Sequence, residues 1–305
     1  MSTIIIQHDD CLRHDPGPRH PESTRRVKAV LSGLEDLKDL QKLPAPRATR
    51  EQILRVHPAE FWADITSSEP EEGIIAIDSD TFMSNGSIDA TLRASGGLCY
   101  AIDQILEDKA LKAFCAVRPP GHHSEPETAM GFCLLNHVAI GARHALENPI
   151  IKRVAIIDFD VHHGNGTQAV FEQSPDVLFV SSHQLPLYPG TGHIGETGCG
   201  NILNMPLSPG DGSKPFRQAW STRGLPAVHD FEPDLILVSA GFDAHQRDPL
   251  AQIELQDADY HWITKQICEL ATDSCQGRVA SILEGGYDLQ ALATASRAHV
   301  QALSS

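Results

Sequence analysis

The chain has 305 residues, 41% of them apolar and 21% charged, values of a globular protein with a sizeable core and not of a disordered or fibrous one. Its formal net charge of −16 opposes direct binding to nucleic acid, through phosphate repulsion, and suits cationic partners such as lysine-rich peptides or polyamines. No apolar run is long enough to span a bilayer, and the opening MSTIIIQHDD lacks the basic stretch and cleavage site of a signal peptide, so a cytoplasmic location is expected.

In chain order, TIIIQ (3–7) reads as a first strand ending at His8, Asp9 and Asp10, and helical stretches follow over 22–34, 49–65 and 87–107. AFCAVRPP (113–120) is a second strand and runs into Gly121, His122 and His123. A helix over 136–147 leads to the strand VAIIDFD (154–160), with His162 and His163 just beyond. VLFVSSH (177–183) ends in Ser181, Ser182 and His183, and the Pro/Gly-rich stretches 183–200 and 206–215 read as surface loops. A helix over 213–229 precedes LILVSAG (235–241), which is followed by Asp243 and His245. A helix over 256–272, the strand VASILEGG (279–286) with Glu284 and Tyr287, and a helix over 288–303 complete the pattern. Strands apolar on both faces and separated by helices predict an α/β fold with a mostly parallel sheet covered on both sides. Without a repeat or a linker, 1–305 reads as a single domain. The seven cysteines (Cys11, Cys99, Cys115, Cys133, Cys199, Cys268, Cys275) are scattered, odd in number and free of any CxxC pair. That argues against disulfides and cysteine-ligated zinc, and for small apolar core residues.

In open parallel sheets, ligands bind outside the carboxyl ends of the strands, and five strands here place polar residues at that edge. Within VAIIDFDVHHGNG, Asp158, Asp160 and His162 alternate and therefore share a face. Asp160 and His162 offer two ligands to a divalent cation. Asp243 is the best third, since it follows another strand directly, and the set leaves a position for water. Taken singly, an Asp there is more often a helix cap and a His a satisfied structural residue; their convergence on one edge reverses that weighting. Zinc, iron(II) or cobalt suits two carboxylates and an imidazole. His122 and His123 read as proton-transfer groups, with Asp158 as a hydrogen-bond partner for one of them. Tyr287, on a Gly-Gly turn, reads as a donor to a developing oxyanion.

The segments RPPGHHSEPETAMGFCLLNHVAIGARHAL, IIDFDVHHGNGTQAVF, FVSSHQLPLYPGTG, LILVSAGFDAHQRDPL and LEGGYD resemble successive blocks of the zinc-dependent histone deacetylase superfamily. They are closest to its class II-like branch with the bacterial amidohydrolases, and RHPESTRRV resembles that family's early loop. The resemblance implies an arginase/deacetylase-type fold with a central sheet of about eight strands. It implies one zinc per chain held by Asp160, His162 and Asp243. It further implies His123 as general base and then acid, His122 paired with Asp158 as its electrostatic partner, and Tyr287 polarising the acyl carbonyl. Phe132 and Tyr188 would line a narrow acyl-lysine channel, with the Gly131 carbonyl accepting from the substrate amide. Groups around Asp158, Asp160, His162, Ser181 and Ser182 would hold potassium.

Three positions depart from the pattern. Asn165 stands where class I relatives carry Asp, Tyr188 where the channel usually has Phe, and Leu250 where the acetylpolyamine branch has a glutamate gatekeeper. The expected activity is removal of acyl groups, acetyl foremost, from N-ε-acyl-lysine. The alternatives are an acetylpolyamine or other small-amide deacetylase, a two-metal ureohydrolase of the arginase type, and a non-catalytic acyl-lysine-binding module.

Overall fold

In the computed structural model, which describes residues 3–38 and 40–305, the strands are β1 (Thr3–Gln7), β2 (Gln41–Pro44), β3 (Ile74–Ala76), β4 (Phe82–Ser84), β5 (Lys112–Cys115), β6 (Val154–Asp158), β7 (Val177–Gln184), β8 (Ile202–Leu207), β9 (Leu235–Ala240) and β10 (Val279–Leu283). β3 and β4 form a small antiparallel hairpin. The others join one eight-stranded sheet in the order β2-β1-β5-β10-β9-β6-β7-β8, parallel throughout. This is the α/β architecture the alternating pattern predicts.

Side-chain alternation along the strands divides the core into two layers. Ile157, Phe159 and Val161 join one cluster with Trp220, Tyr260, Ile263 and Leu292, under helices Arg25–Gly33, Ser213–Ala219, Asp257–Cys275 and Leu289–Leu303. Val154 and Ile156 join the other with Leu98, Ile102, Val138 and Phe171, under helices Ser87–Leu106, His137–Leu146 and Asn165–Phe171. Six of the seven cysteines are buried and Cys199 is exposed, all as free thiols.

Several predicted elements shift. The stretch 49–65 divides into Arg50–Leu54, closed by a Thr49–Gln52 capping box, and Ala59–Ser67. Pro58 has no N–H and disfavours helix at the residue before it, which breaks the run there. The stretch 213–229 carries a π turn at Trp220–Gly224 before Leu225–Phe231, where Pro226 cannot donate into the ladder. β2, the hairpin, helix Asn165–Phe171 and most of β8 lie in segments to which the pattern assigns no element.

The order of the strands positions the site. β5, β10, β9, β6 and β7, whose ends carry the polar residues, are contiguous. From β6 the chain steps outward to β7 and β8, then returns beside β6 as β9 and steps the other way to β10. The reversal opens a crevice between β6 and β9, the place where such sheets take ligands.

Candidate active site

The alternation of β6 persists past its last paired residue. Phe159 and Val161 remain in the core, so Asp158, Asp160 and His162 face the crevice together. Asp243 arrives from the end of β9, and Asp160, His162 and Asp243 offer ligand atoms all within 4.8 Å of one another. The Nδ1 atom of His162 lies 3.1 Å from both Asp160 Oδ1 and Asp243 Oδ2. Backbone donors hold the carboxylates. The Gly285 N–H donates to Asp160 Oδ2 at 2.8 Å, and the Val161 N–H to Asp243 Oδ1 at 2.9 Å. A side chain at Gly241 or Gly285 would collide with these carboxylates, so the close backbone approach depends on both glycines.

The donor set fits a divalent cation. Both aspartates are fully buried and His162 nearly so. Burial works against a charged His162, but its bonds to the two carboxylates outweigh it and raise the ring to about 10. Burial alone would raise Asp160, yet His122 and His162 beside it hold it well below the usual carboxylate range. Burial and the Asp160 charge push Asp243 up. A charged His162 offsets only one of the two carboxylates, whereas a divalent ion offsets both and leaves the imidazole neutral.

His122 and His123 stand behind this cluster with their ring centroids 4.1 Å apart. His122 Nδ1 meets Asp158 Oδ2 at 2.9 Å. Although burial disfavours charge, Asp160 and Asp158 raise His122 well above its ordinary value, which favours its imidazolium form. His123 Nδ1 meets Asn165 Oδ1 at 2.8 Å, and Asn165 in turn donates to Glu125 at 2.8 Å. Burial, then the charges on His122 and His162, push His123 well below 6.5, which leaves a neutral ring. The two histidines are therefore biased toward opposite protonation states, the bias that suits a charged partner beside an available base.

A cavity of about 230 Å³ opens onto His123 and His162, and its walls are Asp80, Gly131, Phe132, Leu187, Tyr188, Leu250 and Tyr287. Gly131 and Phe132 both have positive φ, 58° and 69°, which is strained for the phenylalanine. The Thr81 hydroxyl accepts the Phe132 N–H at 3.1 Å, and the His20 ring packs edge-on at 4.7 Å, which together hold the turn. On the opposite side, Tyr188 is edge-on to His123 at 5.2 Å. Gly286, at φ 123°, lets the chain reverse after β10 and bring Tyr287 to the cavity, with the Arg26 guanidinium 4.9 Å from its ring.

Every residue predicted for the metal, the proton transfer and the channel meets at this crevice. Ser181 pairs in register with Asp158, whereas the Ser182 hydroxyl accepts from the Trp220 indole on the far face. His163 bonds Thr191 and Gln168, and His245 faces Asp257 at 3.5 Å. Sequence reasoning put Glu284 at the sheet edge without giving it a role, and missed Asp248 and Glu22. Asp248 accepts from the backbone N–H groups of Tyr287 and Leu250 at 2.7 and 3.0 Å. Glu284, which burial raises to about 7, accepts from Gly121 and His122. Glu22 gathers Arg26, Arg118 and His14 beneath the loops. A charged residue closing an apolar strand, as in VASILE, is the signal that points to Glu284. Asp80 and Leu187 carry no such signal.

The family described as "Histone deacetylase domain" matches residues 20–303. An uncharacterized protein of Synechocystis is 40% identical over 95% of each chain. A histone deacetylase-like amidohydrolase of Pseudomonas aeruginosa is 38% identical over 88% of this chain and 71% of its own. The crystal structure of the HDA15 HD domain superposes with a TM-score of 0.94 at 33% identity, covering all of this chain and 89% of that one.

Proposed function

The chain belongs to the histone deacetylase family, and from that premise we propose that it is a zinc-dependent amidohydrolase removing acyl groups, acetyl foremost, from N-ε-acyl-lysine side chains. The observation that carries the reading is one cavity that joins an apolar-walled approach to the Asp160–His162–Asp243 cluster, the neutral His123 and Tyr287. Its phenyl, leucyl and tyrosyl walls suit the aliphatic stem of a lysine, whose charge the acyl group has removed. Residues 1–305 act in this reading as one catalytic domain. Net negative charge and free, mostly buried cysteines are consistent with a cytoplasmic enzyme that meets lysine-rich protein substrates.

Asp160, His162 and Asp243 would hold the zinc, which when bound polarises the acyl carbonyl and acidifies a water molecule. His123, neutral at working pH, takes the proton of the attacking water. His122, held as an imidazolium by Asp158, favours the negative charge that then develops beside it. Tyr287 donates its phenolic hydrogen to the oxyanion. His123 returns its proton to the departing lysine amine, completing hydrolysis. The Gly131 carbonyl accepts the substrate N–H, and Phe132, Tyr188 and Leu250 contact the acyl-lysine stem. Carbonyls near Asp158, Asp160, His162, Ser181 and Ser182 would hold a potassium ion, which would steady the β6 end.

The test is a panel of acyl-lysine peptides and acetylspermidine assayed with zinc-loaded protein and after chelation. Acetyl-lysine turnover that disappears on chelation and returns with one equivalent of zinc is expected. Turnover of acetylspermidine more than about tenfold better would replace the substrate reading with the polyamine one. Inactivity on every acyl amine would overturn the proposal.

A further inference from the structure

Fully buried carboxylates are retained where they are paired, and Glu284 is fully buried with no guanidinium or ammonium of the described residues on its carboxylate. Arg26 reaches the Glu284 backbone carbonyl instead. The carboxylate spends its bonds on the loop that carries the two histidines. Oε2 accepts the Gly121 N–H at 2.7 Å and the His122 N–H at 3.2 Å, while the Ser239 hydroxyl from β9 braces Oε1 at 3.3 Å. Across the loop, any side chain at Gly121 would strike the backbone and ring of His137, so the loop is gripped from both sides. The Thr167 N–H holds the His122 carbonyl at 3.2 Å. β10 thus places its last carboxylate under the loop leaving β5, its neighbour in the sheet.

We propose that Glu284 is a positioning residue that sets the His122–His123 pair against the metal-ligand cluster by capping the Gly121 and His122 amides. Its contribution lies in the reach of an oxygen acceptor and not in its charge. The inference rests on the deacetylase reading for its kinetic consequence, and on hydrogen bonding alone for its structural one.

Glu284→Gln keeps a carbonyl oxygen at the same reach and removes the charge, whereas Glu284→Asp keeps the charge and withdraws the oxygen by one methylene. With zinc-loaded protein and an acetyl-lysine peptide, Glu284→Asp should lower kcat about tenfold or more with KM within about threefold, the pattern of misplaced groups. Glu284→Gln should stay within about threefold of wild type in both constants. Amide hydrogen exchange at Gly121 and His122 should accelerate about tenfold in the Asp variant and not in the Gln variant. Wild-type kcat and exchange in Glu284→Asp, or a loss in Glu284→Gln as deep as in Glu284→Asp, would overturn the proposal. If Glu284→Asp fails to fold, Glu284→Gln decides: wild-type exchange and turnover support the anchor, and a tenfold loss refutes it. Should the wild-type protein hydrolyse no acyl amine, the functional reading falls, and amide exchange still judges the anchor.

Discussion

Glu22 is the residue whose loss the fold should feel most sharply. It lies in the loop before helix Arg25–Gly33 and is fully buried, as are Arg26 and Arg118. Its Oε1 accepts from Arg26 at 3.0 Å and from Arg118 Nε at 2.8 Å, and its Oε2 takes a second Arg118 nitrogen and faces His14 at 3.3 Å. Burial alone would raise its pKa, but Arg118, His14 and Arg26 hold it well below the usual range. Glu22→Gln keeps the volume, removes the charge and turns an NH₂ group toward a guanidinium. Two buried cations would then lack their counter-ion, a situation worth about 3–5 kcal/mol. In a chain of 305 residues that corresponds to a fall in Tm of roughly 5–8 °C. Urea unfolding followed by tryptophan fluorescence measures it. The loss should persist at high salt, since screening reaches buried pairs poorly. Because Arg26 also bonds the Gly286 and Glu284 carbonyls, turnover should fall alongside stability. A destabilisation below about 1 kcal/mol would refute the reasoning, for that is the value of an exposed pair.

Removing the phenol by Tyr287→Phe should lower kcat on an acetyl-lysine peptide about 10²-fold with little change in KM, and near-wild-type turnover would remove Tyr287 from the chemistry. Asn165→Asp puts a carboxylate 2.8 Å from His123 Nδ1 and should raise the pKa of that base, moving the acid limb of the kcat/KM profile upward by about one unit; an unmoved limb would deny His123 the role. Burial lowers His57 and His183 to about 4, and His137 and His299 to about 3. These rings are neutral when folded and titrate near 6.5 when unfolded, so their stabilising effect is complete above that pH and declines as pH falls from about 6.5 toward 4. Each should cost up to about 1.4 kcal/mol per pH unit in that window, measured as urea midpoints against pH. A flat midpoint between pH 6.5 and 4.5 would contradict the assignment.

The site was legible where the chemistry of single strands was legible. β6, β9 and β10 are apolar runs, interrupted only by Ser239 and Ser281, that end in polar residues, and a parallel sheet carries all such ends to one edge. The unread parts have other causes. β2 is an exposed edge strand, and β8 holds Asn204 and Pro206 and closes the far edge, so neither shows the apolar run of a central strand. Pro58 and the turn at Trp220–Gly224 interrupt helices whose apolar spacing continues across the break. Glu22, Asp248 and Glu284 act by hydrogen-bonding distant backbone or distant charges. Such partnerships leave no periodic trace, because the loops they join are set together by tertiary packing.

Each chemical task at the crevice comes from a different β-α junction: the cation socket from β6 and β9, the histidines from β5, and the phenol from β10. The loops brace one another through the Gly285 N–H on Asp160, the Val161 N–H on Asp243 and the His122–Asp158 bond, whereas among the described residues no such bond uses the Tyr287 hydroxyl. A descendant could therefore shed Tyr287 alone and still grip the ion and the acylated side chain. Under the proposed reading such a protein would bind acylated lysines without hydrolysing them, so the division of labour among separate turns leaves the scaffold one substitution away from a change of trade.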